Sequence, residues 1–176
     1  LGGILRYKDE LSKSMNMLAQ CGYLFIGQSV LYPGNSIYGT MNDVPEEQRL
    51  ELPVMEDCQM GMSIGLSLAG QKVCSIFPRM DFLIIAMNQL VNHLDKIKDL
   101  SQGIYDPKVI IRTMVGAKKP LDAGLQHTGD YTNLLRAGLR NIDVVKLDSV
   151  SSVYPCYVEA MERERSTILI EMGELY

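Results

Sequence analysis

Six short apolar runs punctuate the chain: "YLFIG" (23–27), "LELPV" (50–54), "KVCSIF" (72–77), "KVIIRTMV" (108–115), "IDVVKL" (142–147) and "TILIEM" (167–172). Most are rich in β-branched or aromatic residues and too short for a helix. They read as strands, the first of them suited to burial on both faces. Helical stretches lie before and between them. Ile4, Leu11, Met15 and Leu18 recur at helical spacing over 4–20, and Gly22 ends that helix. Residues 57–68, 81–96, 130–139 and 150–164 read as further helices, with Asp81 as the cap of the second of these. Strands alternating with helices predict a single three-layer α/β/α domain over 1–176 with a mostly parallel central sheet.

The 176 residues suffice for one hydrophobic core, and 47% hydrophobic against 22% charged is a globular balance. The formal net charge of −4, with Lys118-Lys119 as the only adjacent basic pair, argues against nucleic acid as a partner. Cys21, Cys58, Cys74 and Cys156 form no CxxC pair and no Cys/His cluster with metal-ligand spacing, which suits reduced thiols in the cytoplasm. The longest apolar runs are strand-sized, so neither a membrane span nor a membrane partner is expected. The start, "LGGILRYKDEL", lacks signal-peptide order and an initiating Met, and reads as a trimmed end.

In parallel sheets, ligands bind beyond the carboxyl ends of the strands. Three features fall there: the loop 32–49, the acid pair Glu56-Asp57, and the loop 116–129 with His127. The acid pair has two readings. Carboxylates favour a helix N-terminus by roughly 0.3–1 kcal/mol, or one of them does proton chemistry. His127 is either a site residue or a solvated loop histidine, whereas His93, mid-helix, reads as structural or surface. The glycines at 61, 65 and 70 are expected to allow close helix packing, and Met15, Met17, Met60, Met62, Met80 and Met87 to fill the core.

Five segments, in order, resemble the pyrimidine-binding domain shared by transketolases and the beta subunits of thiamin-diphosphate-dependent 2-oxoacid dehydrogenases. They are "YLFIGQSV", "LPVMEDCQMGMSIGLSLAG", "MDFLIIAMNQLVNHLDK", "LQHTG" and "LIEMGELY". The second is similar to the family's glutamate-bearing strand-to-helix segment, the third to its Asp-Tyr/Phe helix, the fourth to its Gln-His-Ser loop. The resemblance implies the thiamin-diphosphate-binding fold, pyrimidine module. It also implies that Glu56 hydrogen-bonds N1′ of the cofactor's aminopyrimidine and promotes its imino tautomer, a task that needs a fixed, poorly solvated carboxylate. Phe82 matches the aromatic that stacks on the pyrimidine, its other reading being ordinary core packing. His127 matches a histidine that faces the substrate and moves protons. Gln28 falls among the cofactor-contacting positions, where the family usually carries acid; Asp57 stays a helix-terminus residue.

The family's Gly-Asp-Gly motif for diphosphate and magnesium has no counterpart, since Gly129-Asp130 is followed by Tyr131, and neither a diphosphate-binding nor a carboxyl-terminal domain is expected within 1–176. The resemblance therefore implies a diphosphate-binding, alpha-type partner that holds the diphosphate and Mg2+, in an α2β2 heterotetramer acting on a small 2-oxo acid. The expected function is the pyrimidine-binding subunit of a split enzyme that decarboxylates the 2-oxo acid and transfers the acyl or aldehyde unit. The alternatives are a split transketolase or carboligase subunit, and a degenerate scaffolding subunit, which Gln28 favours and the trio Glu56, Phe82 and His127 disfavours.

Overall fold

The computed structural model describes residues 6–119 and 122–176. Ile4 of the first helix and Pro120 and Leu121 of the second glycine-rich loop lie outside them. Six strands form one all-parallel sheet: β1 (Leu24–Gly27), β2 (Arg49–Glu51), β3 (Val73–Phe77), β4 (Val109–Val115), β5 (Asp143–Leu147) and β6 (Thr167–Met172), in the order β2-β1-β3-β4-β6-β5. The central strands β3 and β4 are buried throughout, including Ser75, Arg112 and Thr113 within their mainly apolar runs.

Alternate residues feed two cores, making the three layers. Phe25, Cys74, Ile76, Ile110 and Leu169 face α1 (Tyr7–Gln20) and α6 (Val150–Glu162). Ile26, Val73, Phe77, Ile111 and Ile168 face α2 (Glu56–Leu68), α3 (Met80–Leu83) and α5 (Thr132–Gly138). The four cysteines are free, and burial pushes the Cys74 thiol up to about 12. No helix among the described residues is long and apolar enough to cross a membrane.

Several local expectations need correction. The second strand ends at Glu51, not at residue 54, and only the Leu52 N–H still donates, to Gly27 O at 2.8 Å; Pro53 can donate to no ladder. The helix expected over 81–96 is a broken run from Met80 to Leu100: α3, a tight turn at Ile84–Ala86, a π-turn at Gln89–Leu94 and α4 (Ile97–Leu100). The wide turn brings Asp95 inward, to 3% exposure, where its carboxylate accepts the Arg140 and Asn141 N–H groups at 2.8 and 2.7 Å. Asp81 does not cap; Arg79 holds the N-cap position. Gly61 and Gly65 allow no close packing: an added Cβ would meet Gln89 at an ordinary 3.6 Å at Gly61, and open space at Gly65. Gly70 ends α2 at φ +87, a left-handed turn that glycine adopts freely. Met62 is exposed on α2, unlike the buried Met15, Met60 and Met80. His93 is exposed.

A reversal in strand order positions the site. From β1 the chain runs outward to β2, then returns across β1 to β3 and onward. The connections leaving β1 and β3 therefore part and leave a crevice at the carboxyl edge of the sheet. Register aligns that edge, with Gly27 opposite Glu51 on one side and Ile76 on the other.

Candidate active site

At the carboxyl end of β1, Gly27 has φ +144, and a Cβ there would stand 2.1 Å from Ile76 O and 2.9 Å from Gln59 Nε2. Only glycine lets the Gln59 amide approach this strand. Gln59, fully buried on α2, donates through Nε2 to Ile76 O at 2.9 Å and Ser75 Oγ at 3.1 Å. Its Oε1 accepts from Gln28 Nε2 at 2.8 Å, and Gln28 Nε2 also lies 3.3 Å from Pro53 O. The Gln28 amide group is thus fixed from both sides.

The turn beyond Gln28 is strained and compensated. Ser29 sits at φ +60, uncommon for a residue with a Cβ. Three successive N–H groups, of Ser29, Val30 and Leu31, converge on the Glu51 carboxylate at 2.7, 2.8 and 2.8 Å. A nest of backbone dipoles around an anion offsets the backbone strain. Glu51 supports the turn that carries Ser29 into the cleft lining, a contact that sequence reasoning missed because the residue reads there only as part of a strand.

Glu56 is the first residue of α2 and is only 4% exposed, yet no described group donates a hydrogen bond to its carboxylate. It lines a cleft of about 350 Å³ together with Gln28, Phe82 and His127, so all four sequence-selected residues meet at one cavity. Asp57 instead accepts from Gln89 Nε2 at 3.1 Å and ties α2 to the π-turn. With no described donor, the Glu56 carboxylate is open to one supplied from the cleft it lines.

The opposite wall comes from β3 and α3. Phe82, half-buried, meets the His127 imidazole edge-on, with ring centroids 5.3 Å apart at 88°. Asp81 fixes this loop: both its carboxylate oxygens lie 3.2 Å from the Gly129 N–H. Gly116 completes the arrangement, since a Cβ there would stand 2.0 Å from the His127 carbonyl oxygen. Gly116→Ala should therefore displace the His127 loop and cost about 1–3 kcal/mol. Urea melts and the His127 NMR signals check this; an unshifted His127 resonance would refute the close approach.

Arg79 also lines the cleft and was not selected from the sequence. Its Nη1 donates to Pro78 O at 2.8 Å, and its Nε is buried without a partner among the described residues. Burial lowers its pKa from the ordinary arginine value, against the raising influence of Tyr176 and Asp81. Among the described residues no three His, Cys, Asp or Glu side chains gather as a metal site. The residues present suit an aminopyrimidine: a carboxylate lacking a donor, an aromatic face and a fixed amide around one cleft.

No family model matches the chain. It is 28% identical over 105 residues to the pyruvate dehydrogenase E1 component subunit beta of Gracilaria tenuistipitata var. liui, covering 60% of this chain and 31% of that protein. It is 25% identical over 150 residues to the subunit of the same name from Cyanidium caldarium, covering 83% and 42%. The chain thus spans less than half the length of these relatives. A solved structure described as a split gene transketolase, inactive beta4 tetramer, superimposes with a TM-score of 0.72 at 16% identity, over 95% of this chain and 50% of that one. Fold and sequence likeness point the same way: the chain has the three-layer, transketolase-like fold, and its sequence is similar to pyruvate dehydrogenase E1 beta subunits over 60–83% of its length.

Proposed function

We propose that this chain is the pyrimidine-binding half of a split thiamin-diphosphate enzyme that decarboxylates a 2-oxo acid and passes on the acyl or aldehyde unit. The observation that carries the reading is Glu56: a buried carboxylate with no described donor, in one cleft with Phe82 and His127. When bound, thiamin diphosphate supplies a thiazolium carbon that adds to the substrate carbonyl and an electron sink for the bond that breaks. Glu56 accepts and returns a proton at N1′ of the pyrimidine. Phe82 offers its face to the ring. Gln28, held by Gln59 and Pro53, gives the pyrimidine edge a fixed polar neighbour. His127 moves protons at the substrate oxygen.

The reading includes a partner chain, because the described residues gather no metal site for a magnesium-bound diphosphate. Val54, Met55 and Met62, exposed by 76, 51 and 39%, lie on or beside the Glu56 segment and offer apolar surface to a second chain. The diphosphate and Mg2+ then belong to an alpha-type subunit, in an α2β2 assembly.

Calorimetry tests this. The chain alone should bind thiamin diphosphate weakly, and adding the partner should create magnesium-dependent binding. Phe82→Ala in the complex should lose about 1–3 kcal/mol of cofactor affinity, the scale of losing a base-stacking aromatic. Micromolar binding to the chain alone, or full affinity in the variant complex, would overturn the reading.

A further inference from the structure

Arg79 is the cation of the cleft, and nothing in the proposed chemistry at N1′ uses it. Arg112, Arg163 and Arg165 all face carboxylates within ion-pairing distance, whereas Arg79 has none among the described residues. Its one hydrogen bond goes to the carbonyl of the preceding residue, leaving the buried Nε without a partner among the described residues and the other terminal nitrogen accessible and without a protein acceptor. The nearby acid, Asp81, is committed to Gly129. Gly116 brings the chain close: a Cβ there would lie 3.2 Å from Arg79 Nε and 2.0 Å from His127 O. Arg79 is thereby held beside the histidine that faces the substrate. A guanidinium with free donors in a partly dry site is a fork for a planar or tetrahedral oxyanion.

We infer that Arg79 binds a non-reacting anionic group of the substrate or acceptor, a carboxylate or a phosphate remote from the carbonyl. The inference rests on the reading of this cleft as a thiamin-dependent active site. The choice of a remote group has a physical reason. A carboxylate that leaves as carbon dioxide loses its charge in the transition state. An arginine clamped on it would stabilise the ground state more than the transition state and slow the step. An arginine gripping a charge that persists holds both states equally and acts in binding and selection.

The test uses the full chain and needs no turnover. The Arg79 Nε–H and His127 imidazole NMR signals are followed while 2-oxoglutarate, glyceraldehyde 3-phosphate, pyruvate or neutral glyceraldehyde is added. One or both of the first two should shift these signals saturably; which of them does so identifies carboxylate or phosphate. Pyruvate should bind more weakly, and glyceraldehyde should leave the Arg79 signal in place. Arg79→Gln should weaken the tight binder by on the order of tenfold or more, as expected for a charged hydrogen bond. Arg79→Lys, which keeps the charge and loses the fork, should fall between and guards against a folding artefact. No saturable shift, equal binding of pyruvate, or binding that survives in Arg79→Gln overturns the inference. Thiazolium exchange in the complex separates the two readings. Glu56-dependent exchange without anion binding sinks only the Arg79 role. Anion binding without exchange sinks the thiamin reading and leaves an anion site.

Discussion

Glu56→Gln in the complex should slow proton–deuteron exchange at C2 of bound thiamin diphosphate by roughly 10²–10⁴-fold, the usual contribution of a positioned acid–base group. The substitution keeps side-chain size and hydrogen-bonding capacity and removes the ability to take and return a proton. The environment makes the test clean. Glu56 is 4% exposed and bonds to no described donor, so the change breaks no internal hydrogen bond and should leave the fold intact. Cofactor affinity should change far less than exchange, because Phe82 and the partner supply most of the binding. Exchange read by NMR after acid quench requires no knowledge of the substrate. Asp57→Asn is the control: that carboxylate is occupied by Gln89, and the variant should lose no more than about 1 kcal/mol of stability and exchange normally. Fast exchange in Glu56→Gln would leave Glu56 as a helix-terminus acid and remove the main support for a catalytic role.

What was legible in the sequence follows from what each signal depends on. β3, β4 and β6 declare themselves as apolar runs because both of their faces are buried, which is a property of the strand itself. The end of β2 and the broken helix from Met80 to Leu100 do not, since they depend on partners far along the chain. Glu51 ends the β2 ladder and gives its side chain to the turn at Ser29, and Asp95 turns inward to meet Arg140 and Asn141. The same division runs through the site. Gln28, Glu56, Phe82 and His127 follow strand ends or loops that a parallel sheet directs to one edge, and all four line one cleft. Arg79 sits in Pro78-Arg79-Met80 with no periodicity and no recurring spacing, and only the packed loop shows that its Nε has no partner among the described residues. The helix glycines misled for a related reason. Small residues mark a close approach only where something approaches, and at Gly65 nothing described does, while at Gly27 a glutamine amide and a carbonyl do.

Arg112→Met should cost about 3–5 kcal/mol of folding stability, as when one partner of a buried ion pair is removed. Arg112 lies in the middle of β4, and both it and Glu171 are fully buried. They stand on neighbouring strands of the same sheet face. Arg112 Nε donates to Glu171 Oε1 at 2.5 Å, and Nη2 donates to Oε2 and to Tyr176 Oη, each at 3.2 Å. Tyr157 and Tyr176 both donate their hydroxyls to the same carboxylate. Burial first, then the Glu171 charge, holds both phenols well above the ordinary tyrosine pKa, so they remain donors across the neutral range. Removing Arg112 leaves that charge in the core facing two hydroxyls and no cation. A domain with a total stability of about 5–15 kcal/mol has little to spare against such a loss. Glu171→Gln should be similarly damaging, because it strands the guanidinium. The double variant should lose clearly less than the sum of the two single losses, since neither charge is then left unpaired. Urea melts of the four proteins measure this directly. A loss below about 1 kcal/mol for Arg112→Met would mean that water reaches the pair once it is broken. Additive losses would mean that the tyrosines, and not the ion pair, hold this side of the core together.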